Sequence, residues 1–290
     1  MKTISYAFFG TGALAESVLA ELYRNNYVPE LVVTKPDAPQ GRHMTLTAPY
    51  IKTWAEMKGI AVFQPETLKD LPQSSPLHTQ EFDVFIVASY GKIIPKDILD
   101  LPKFGVLNVH PSLLPKYRGP SPIESFLLSE DMTTGVSIMK LDELMDHGPI
   151  LTQSAITITE EMTSGTLEVL SGQVGGRLLV ETLPHYLDGT LIPKEQNHDE
   201  ATICRKITKD MGLVTLHDAI DEVRRKYRAL TPWPGLYFFI EHGGKELRIK
   251  INAIDLVSNK DSQEVKDYIL SVTPEGKKQM DWDSFVRGYF

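Results

Sequence analysis

The sequence predicts an α/β protein with two domains: a Rossmann-like parallel or mixed sheet, followed by a small C-terminal β-barrel of OB-like form. In the first half, short apolar runs alternate with stretches that carry apolar residues at helical spacing, a pattern typical of a parallel sheet covered by helices. Near the C-terminus, short alternating runs and a glycine-rich turn, His242-Gly243-Gly244, indicate the barrel. The 290 residues are 42% hydrophobic and 23% charged, which is ordinary for a globular protein.

The elements of the first domain follow in order. Residues 4–9 form an apolar run that predicts a buried strand, and Gly10 and Gly12 predict the turn into a helix over residues 13–25. Further strands are predicted at residues 31–34, 60–63, 83–88, 106–109, 136–141 and 150–158, and further helices at 51–58, 123–128 and 166–187. Residues 35–49 hold three prolines and predict a long functional loop.

A polar, irregular segment over residues 193–209 predicts a linker between a first domain, residues 1–192, and a second, residues 210–290. In the second domain a helix is predicted at residues 216–227 and strands at 236–240, 247–254 and 268–272. The net charge is −8, but residues 205–290 hold 15 basic and 13 acidic residues, whereas residues 1–204 hold 15 and 25. The charge of +2 on the C-terminal part therefore leaves a nucleic-acid partner open.

Composition excludes several classes of protein. The single cysteine, Cys204, excludes an internal disulfide and a cysteine-rich zinc site. The longest apolar runs are about five residues, whereas a membrane span needs about 20. The apolar part of the N-terminus is too short for a signal peptide. The eight histidines show no spacing typical of metal ligands. We therefore expect a cytoplasmic protein without a metal.

The strongest candidate for a reactive site follows the strand at residues 106–109. Asn108 and His110 are two residues apart, so in a strand both side chains point to one face. They would lie at the carboxyl end of a strand, where open α/β sheets bind ligands. Asp146 follows a later strand. The spacing leaves two interpretations open: a structural histidine, or an acyl-transfer site in which Asp146 orients an imidazole that stabilises an oxyanion.

Two long segments carry a resemblance to a known family. Residues 108–124 read NVHPSLLPKYRGPSPIE, and residues 133–151 read TTGVSIMKLDELMDHGPIL. Together with residues 88–95, ASYGKIIP, and with Pro232-Trp233-Pro234, they resemble the formyltransferases that use 10-formyltetrahydrofolate. The resemblance covers nearly the whole chain and is greatest to the members that formylate methionyl-tRNA.

The resemblance implies a role for each residue of the site. Asn108 and His110 would hold the oxyanion of the tetrahedral intermediate, and Asp146 would steer His110 and help to take the amine proton. The folate pocket that it implies is lined by Tyr90, Gly91, Ile93, Ile94, Pro95, Ser112, Leu113, Leu114 and Pro115. No metal is implied.

The resemblance also implies an acceptor. The formyl group of 10-formyltetrahydrofolate would pass to the α-amino group of methionyl-initiator tRNA, giving N-formylmethionyl-tRNA for translation initiation, on a monomeric enzyme. Arg42, in the loop over residues 35–49, would contact the acceptor stem, and the tRNA would also meet a basic helical cluster of Arg224, Arg225 and Arg228. The loop departs from the family, whose members commonly carry lysines at the place where this chain reads His43-Met44-Thr45.

Three alternatives remain open. The same chemistry on a small amine, such as an amino-sugar nucleotide, is favoured by the lysine-poor loop. A hydrolase of 10-formyltetrahydrofolate would not need the C-terminal domain. A non-catalytic nucleotide- or nucleic-acid-binding module is disfavoured because Asn108, His110 and Asp146 are all intact.

Overall fold

The computed structural model describes residues 4–40, 44–258 and 264–290. The chain divides into two compact units. The first comprises Met1–Pro120, Thr133–Ile156 and Glu168–Cys204, and the second comprises Ser121–Met132, Thr157–Leu167 and Arg205–Phe290. The domain boundaries inferred from the sequence, with a linker over residues 193–209, stay a prediction about which parts of the chain fold independently.

Strands and helices are numbered in chain order. The strands up to residue 156 are β1 (Tyr6–Gly10), β2 (Leu31–Val33), β3 (Ala38–Gln40), β4 (Thr45–Thr47), β5 (Ala61–Phe63), β6 (Val84–Ala88), β7 (Val106–His110), β8 (Thr134–Lys140) and β9 (Ile150–Ile156). The helices up to residue 187 are α1 (Ala13–Arg24), α2 (Tyr50–Met57), α3 (Pro76–Thr79), α4 (Lys96–Leu99), α5 (Pro122–Leu128) and α6 (Ser164–Leu187). Every strand and helix predicted in this part is present, with ends that shift by at most two residues.

The first unit is built on one seven-stranded mixed sheet in the order β5-β2-β1-β6-β7-β8-β9. The strands from β5 to β7 are parallel, and β8 and β9 are antiparallel to their neighbours. The predicted α/β class is therefore confirmed. Strands β1 and β6 are buried along their whole length, which explains why the sequence shows them as unbroken apolar runs.

Helix α6 packs tightly because of three of its glycines, Gly172, Gly175 and Gly176. A Cβ on Gly175 would lie 2.4 Å from Val109 of β7, and one on Gly172 would lie 2.6 Å from the carbonyl oxygen of Leu14 in α1. Gly176 meets α1 in the same way at Glu21, at 2.5 Å. Side chains at these positions would push α6 away from the sheet and from α1. Packing thus outweighs the low helix propensity of glycine here.

Residues 38–40 and 45–47 form a pair of strands within the segment that the prolines predict to be a long functional loop. Strands β3 and β4 pair antiparallel, with Ala38 opposite Thr47. A proline is tolerated here because a two-stranded ribbon consists only of edge strands. Arg42, the predicted tRNA contact of this segment, lies outside the described residues.

The second unit contains a four-stranded antiparallel sheet in the order β10-β11-β12-β13. Its further elements are α7 (Ile220–Leu230), β10 (Leu236–His242), β11 (Lys245–Ile254), β12 (Ile269–Pro274), β13 (Met280–Asp281) and α8 (Trp282–Tyr289). Helix α7 packs against α5. It begins four residues later than predicted, because the Asp218 carboxylate accepts the Thr215 N–H and forms a local turn first.

Helix α8 was not predicted. Asp281 caps its first turn by accepting the N–H of Ser284 at 2.8 Å. The ring of Phe285 is fully buried and packs against Trp282 and Phe238, with centroids 5.3 and 6.2 Å away. This aromatic cluster covers the inner face of the sheet. Within the described residues, no helix is long and apolar enough to span a bilayer.

Candidate active site

Asn108 and His110 share one face of β7. Val109, between them, points to the opposite face and contacts Gly175 of α6. Strands β6 and β8 lie on either side of β7, so the two polar side chains lie on the surface of the sheet and not at its edge. The observed strand thus places the side chains of Asn108 and His110 on one face, as the sequence predicts.

Each ring nitrogen of His110 faces an oxygen acceptor. The side chain is only 4% exposed, and Nε2 donates to the carbonyl of Tyr117 at 2.9 Å. Nδ1 lies 3.6 Å from Oδ1 of Asp146, which is too long for a hydrogen bond. The ring is therefore anchored through Nε2–H, while Nδ1 faces the carboxylate and can donate only when the ring carries both protons.

The carboxylate of Asp146 is held by a backbone group. Its Oδ2 accepts the N–H of Gly119 at 2.7 Å, and this leaves Oδ1 on the side of His110. Asp146 has a φ of +49°, a left-handed conformation that costs a non-glycine residue about 1–3 kcal/mol. Such a conformation persists only where the surrounding structure holds it, so the position of this residue is determined by its contacts.

The strand topology explains how Asp146 reaches His110. Lys140, near the end of β8, pairs with Leu107 near the start of β7 because the two strands are antiparallel. The following loop, residues 141–149, therefore starts at the amino end of β7. It must turn back across the face of the sheet to bring Asp146 to the carboxyl end.

The amide of Asn108 is the available hydrogen-bonding group of the site. Its side chain is half-buried, and no residue in the described part of the chain forms a hydrogen bond with it. An amide on the same strand face as His110, with an unused N–H donor, can bind an oxygen that develops negative charge. The structure thus brings the predicted Asn108, His110 and Asp146 to one site.

The segment that follows β7 is fastened over this face. Ser137 of β8 stands opposite His110, and its hydroxyl donates to the carbonyl of Ser112 at 2.6 Å. The same hydroxyl accepts the N–H of Leu114 at 3.0 Å. Gln153 of β9 donates to the carbonyl of Leu114 at 2.9 Å. These bonds hold the segment in one arrangement beside the site.

Residues 90–95, predicted to line the folate pocket, follow β6, the neighbour of β7. The ring of Tyr90 is 1% exposed and packs edge-on against Phe9 in the core, with centroids 5.6 Å apart. Its hydroxyl has no hydrogen-bond partner among the described residues, and burial raises the pKa of Tyr90 to about 12. Ile93 is 90% exposed, whereas Ile94 packs against the core. A ligand at this segment would thus meet Ile93 and backbone groups before the Tyr90 ring.

A cavity of about 470 Å³ adjoins both this segment and the loop that carries Asp146. Its wall begins at Lys96, directly after Pro95, and includes Val106 of β7 and both Leu141 and Leu144 of the loop. The volume is typical of a small-molecule site, for which about 300–1,000 Å³ is usual. The predicted segment 90–95 thus leads to this cavity, whereas none of the residues that line it was predicted.

Sequence reasoning missed two buried polar residues behind Asp146. Gln196 donates through Nε2 to the carbonyl oxygens of Asp146 and Gly148, at 2.9 and 2.7 Å. Arg118 donates from Nη2 to the Gln196 Oε1 at 2.7 Å. Arg118 lies within the motif that carried the resemblance, but Gln196 lies in the predicted linker and carried no signal.

Comparison with known proteins identifies the family. Residues 2–183 match the family model described as Formyl transferase, and residues 206–266 match the one described as Formyl transferase, C-terminal domain. The chain belongs to the formyl transferase family. Among the described residues of this formyl transferase, no group of three or more His, Cys, Asp or Glu side chains could hold a metal ion.

Curated relatives of this formyl transferase extend over nearly its whole length. A methionyl-tRNA formyltransferase from Myxococcus xanthus is 38% identical, over 97% of this chain and 94% of the relative. One from Caldanaerobacter subterraneus is 36% identical, over 97% and 96%. The fold is shared with a 4-N formyltransferase from Francisella tularensis, at a TM-score of 0.65, 16% identity and coverage of 89% and 100%. It is also shared with HypX from Aquifex aeolicus in complex with tetrahydrofolic acid, at 0.66 and 16%, with coverage of 98% and 47%.

In the second unit of the formyl transferase, the predicted tRNA-binding arginines differ in their contacts. Arg224 donates to the carbonyl of Ser258 at 2.6 Å and stacks on the ring of Tyr268. Arg228 donates to the carbonyls of Met162 and Thr159 at 3.0 and 3.2 Å, and burial lowers the pKa of its guanidinium. Only Arg225, of these three, makes no hydrogen bond or ion pair within the described part of the chain.

Proposed function

We propose that this formyl transferase moves the formyl group of 10-formyltetrahydrofolate to the α-amino group of methionyl-initiator tRNA, giving N-formylmethionyl-tRNA for translation initiation. The observation that carries the proposal is the His110–Asp146 pair beside the Asn108 amide on β7. The acceptor is supported by relatives named methionyl-tRNA formyltransferase that are 36–39% identical.

In the proposed reaction, the amine nitrogen attacks the formyl carbon and negative charge develops on the formyl oxygen. Asn108 and the Nδ1 of His110 are the donors on the strand face that would stabilise this charge. Preorganised donors of this kind contribute about 2.7–4 kcal/mol each in comparable sites. Because Nε2–H of His110 is anchored on the Tyr117 carbonyl, the ring is already oriented, and its doubly protonated form would present Nδ1–H to the formyl oxygen.

A proton must also leave the amine when the new bond forms. Asp146 Oδ1 is the carboxylate oxygen not engaged by Gly119, and we assign it as the proton acceptor, directly or through water. When the bond between the formyl carbon and N10 breaks, this proton ends on N10 of tetrahydrofolate. An α-amino group with a pKa of about 7.7–8.0 is partly neutral near pH 7.5, so little free energy is needed to generate the nucleophile.

We assign the folate to the cavity whose lining runs from Lys96 to Leu144 and begins directly after the predicted segment 90–95, and we retain residues 112–115 as further proposed contacts. Its apolar walls suit the face of a pterin ring, and the polar groups of Asp142 and Glu143 suit the ring's hydrogen-bonding edge. Lys140 also lines the cavity and forms no ion pair within the described residues, so its ammonium is available for a carboxylate of the glutamate tail.

We further propose that the second unit contacts tRNA through the exposed face of its sheet as well as through Arg225. Tyr237 and Phe239 of β10 lie on this face, with ring centroids 5.6 Å apart, and Phe239 is 43% exposed. The guanidinium of Arg248 lies 3.9 Å from the Tyr237 ring centre, and Lys250 is exposed beside it. Exposed aromatic rings next to cations are suited to stacking on bases and to pairing with phosphates.

The remaining expectations belong to the same proposal. We propose that the enzyme acts in the cytoplasm, where translation uses its product, and that it acts as a monomer. We also retain Arg42 as a contact of the acceptor stem. Arg42→Ala should then weaken the use of tRNA far more than the binding of folate, and equal losses of both would remove Arg42 from the proposal.

The test of the proposed function is a comparison of acceptors. Purified protein and 10-formyltetrahydrofolate are offered charged initiator tRNA, the same tRNA uncharged, an amino-sugar nucleotide, or no acceptor. We expect formyl transfer to the charged tRNA with the highest kcat/KM, and none to the uncharged tRNA. A higher kcat/KM for the amino-sugar nucleotide would overturn the proposed acceptor, and release of formate alone would indicate a hydrolase.

A further inference from the structure

We propose that Gln196 and Arg118 are positioning residues for the reaction: together they hold the backbone of Asp146 so that its carboxylate stays beside His110. The inference rests on the proposed role of the His110–Asp146 pair but not on the identity of the acceptor. It begins from a conformation that needs support, since Asp146 has a positive φ of 49°.

Gln196 pins the turn that carries Asp146 at two points. One amide group donates both of its protons, to the carbonyl of Asp146 at 2.9 Å and to that of Gly148 at 2.7 Å. Gln196 is only 6% exposed, so water competes little for these bonds. Gly148 itself fits against β8 so closely that a Cβ would lie 2.1 Å from the Lys140 carbonyl oxygen.

Arg118 fixes the orientation of the Gln196 amide. Its Nε and Nη2 both donate to Oε1 of Gln196, at 3.2 and 2.7 Å. A guanidinium can only donate and a carbonyl can only accept, so the amide has one orientation that satisfies all four bonds. Nη2 also contacts Nδ1 of His198 at 2.9 Å, and this nitrogen must then be an acceptor.

These contacts close a ring of bonds around Asp146. The carboxylate of Asp146 accepts the N–H of Gly119, and its backbone carbonyl accepts from Gln196. Gln196 in turn is held by Arg118, the residue that directly precedes Gly119. The side chain and the backbone of Asp146 are thus fixed from the same chain segment. The carbonyl of Tyr117, also in that segment, anchors His110.

The guanidinium of Arg118 is buried, which is rare for a charged side chain. Arg118 is 7% exposed, and among the described residues it forms no ion pair with a carboxylate. Burial of an unpaired charge is costly unless its hydrogen bonds are satisfied. The bonds to Gln196 and His198 meet this requirement, and their effect is to fix the position of the reactive carboxylate.

The experiment compares Gln196→Glu, Gln196→Met and the neighbouring control Asn197→Ala. Glutamate keeps the shape and the pair with Arg118 but cannot donate to the two carbonyls, whereas methionine keeps only the shape. Asn197 is exposed, and among the described residues its side chain bonds only to Glu200, at 2.8 Å. The measurements are kcat and the KM for 10-formyltetrahydrofolate, with the acceptor that the wild-type protein uses best, and the midpoint of thermal unfolding.

We expect both Gln196 variants to lower kcat by about 10- to 100-fold, because an error of about 1 Å in a catalytic group has an effect of this size. The KM for the folate should change by less than about threefold, and Asn197→Ala should behave as wild type. The methionine variant keeps the test valid should the glutamate variant fail to fold. A kcat within about twofold of wild type in either folded variant would overturn the proposal. A wild-type protein inactive with every acceptor would instead count against the proposed function.

Discussion

The Nδ1 of His110 lies 3.6 Å from Oδ1 of Asp146, a distance that brings charge close without forming a hydrogen bond. The other nitrogen is anchored on the carbonyl of Tyr117 at 2.9 Å. The nitrogen near the carboxylate is thus the one left for the substrate. Nε2 thus orients the ring, whereas Nδ1 has the chemical role. This explains why a carboxylate lies beside a buried histidine.

Asn108 should contribute to the reaction through its N–H donor. We predict that Asn108→Ala lowers kcat by about 100- to 1,000-fold, as expected when one donor to an oxyanion is removed. The KM for 10-formyltetrahydrofolate should change little, because the bond is made mainly in the transition state. Asn108→Asp is the matched variant, because aspartate has the same shape but its carboxylate only accepts hydrogen bonds. Steady-state kinetics should show that it is no more active than Asn108→Ala. Activity near wild type in Asn108→Asp would refute the role of the N–H donor.

Removal of the Tyr90 hydroxyl should stabilise the protein at high pH. In the wild type, burial raises the pKa of Tyr90 to about 12, above the unfolded value of about 10. Stability from the neutral phenol is therefore complete below pH 10 and is lost as the pH rises through 12. Over this range the wild type should lose about 2–3 kcal/mol that Tyr90→Phe keeps.

Denaturant unfolding of both proteins at pH 8 and at pH 11.5 measures this difference. At pH 8 we expect Tyr90→Phe to be as stable as wild type or slightly more so, since the hydroxyl has no partner among the described residues. Equal pH dependence of the two proteins would contradict the assignment. An increase in the folate KM in Tyr90→Phe would show that the hydroxyl reaches the ligand.

Arg228 and Arg225 of α7 should affect different properties when they are replaced. Arg228→Ala should lower the free energy of unfolding by about 1–3 kcal/mol, because its guanidinium donates to the carbonyls of Met162 and Thr159. Arg225→Ala should leave stability unchanged and reduce the salt slope of tRNA binding by about one unit if it meets a phosphate. Unfolding curves and binding titrations at several salt concentrations distinguish them; a smaller salt slope in Arg228→Ala than in Arg225→Ala would reverse the assignment.

The aromatic pair of β10, Tyr237 and Phe239, should contribute a part of tRNA binding that salt does not remove. Phe239→Ala should weaken binding by about 1–3 kcal/mol, the usual value for one base stacked on an aromatic ring. The salt slope should stay unchanged, in contrast to Arg248→Ala. Val257, which is 53% exposed and lies outside the strands, provides a control variant, Val257→Ala. Equal binding by wild type and Phe239→Ala would remove this face from the proposed interface.

The sequence was sufficient to predict the sheet and most of its helices, since apolar periodicity reflects burial directly. It also predicted that Asn108, His110 and Asp146 form one site, because these residues lie within long family motifs. It could not show that the loop after β8 turns back over the sheet, since that depends on the antiparallel pairing of Lys140 with Leu107. Nor could it show Gln196, whose partner Asp146 lies 50 residues away along the chain.

Other differences arose from local chemistry that periodicity does not contain. The prolines over residues 35–49 indicate a long loop, but edge strands tolerate proline, and residues 38–40 pair with residues 45–47. The basic cluster of α7 indicated a single tRNA-binding surface, yet Arg224 and Arg228 are engaged by backbone carbonyls. Charge on a helix shows where cations lie along the chain, whereas their availability depends on neighbours that fold against them.

The most direct test of the account follows the formyl group itself. A donor carrying a labelled formyl group is mixed with charged initiator tRNA and either wild-type protein or His110→Ala, and the amino acid released from the tRNA is identified by mass. We predict labelled N-formylmethionine with the wild type, formed at least about 1,000-fold more slowly by a folded His110→Ala variant. Absence of label from the methionine nitrogen, or a His110→Ala rate within about tenfold of wild type, would contradict the account.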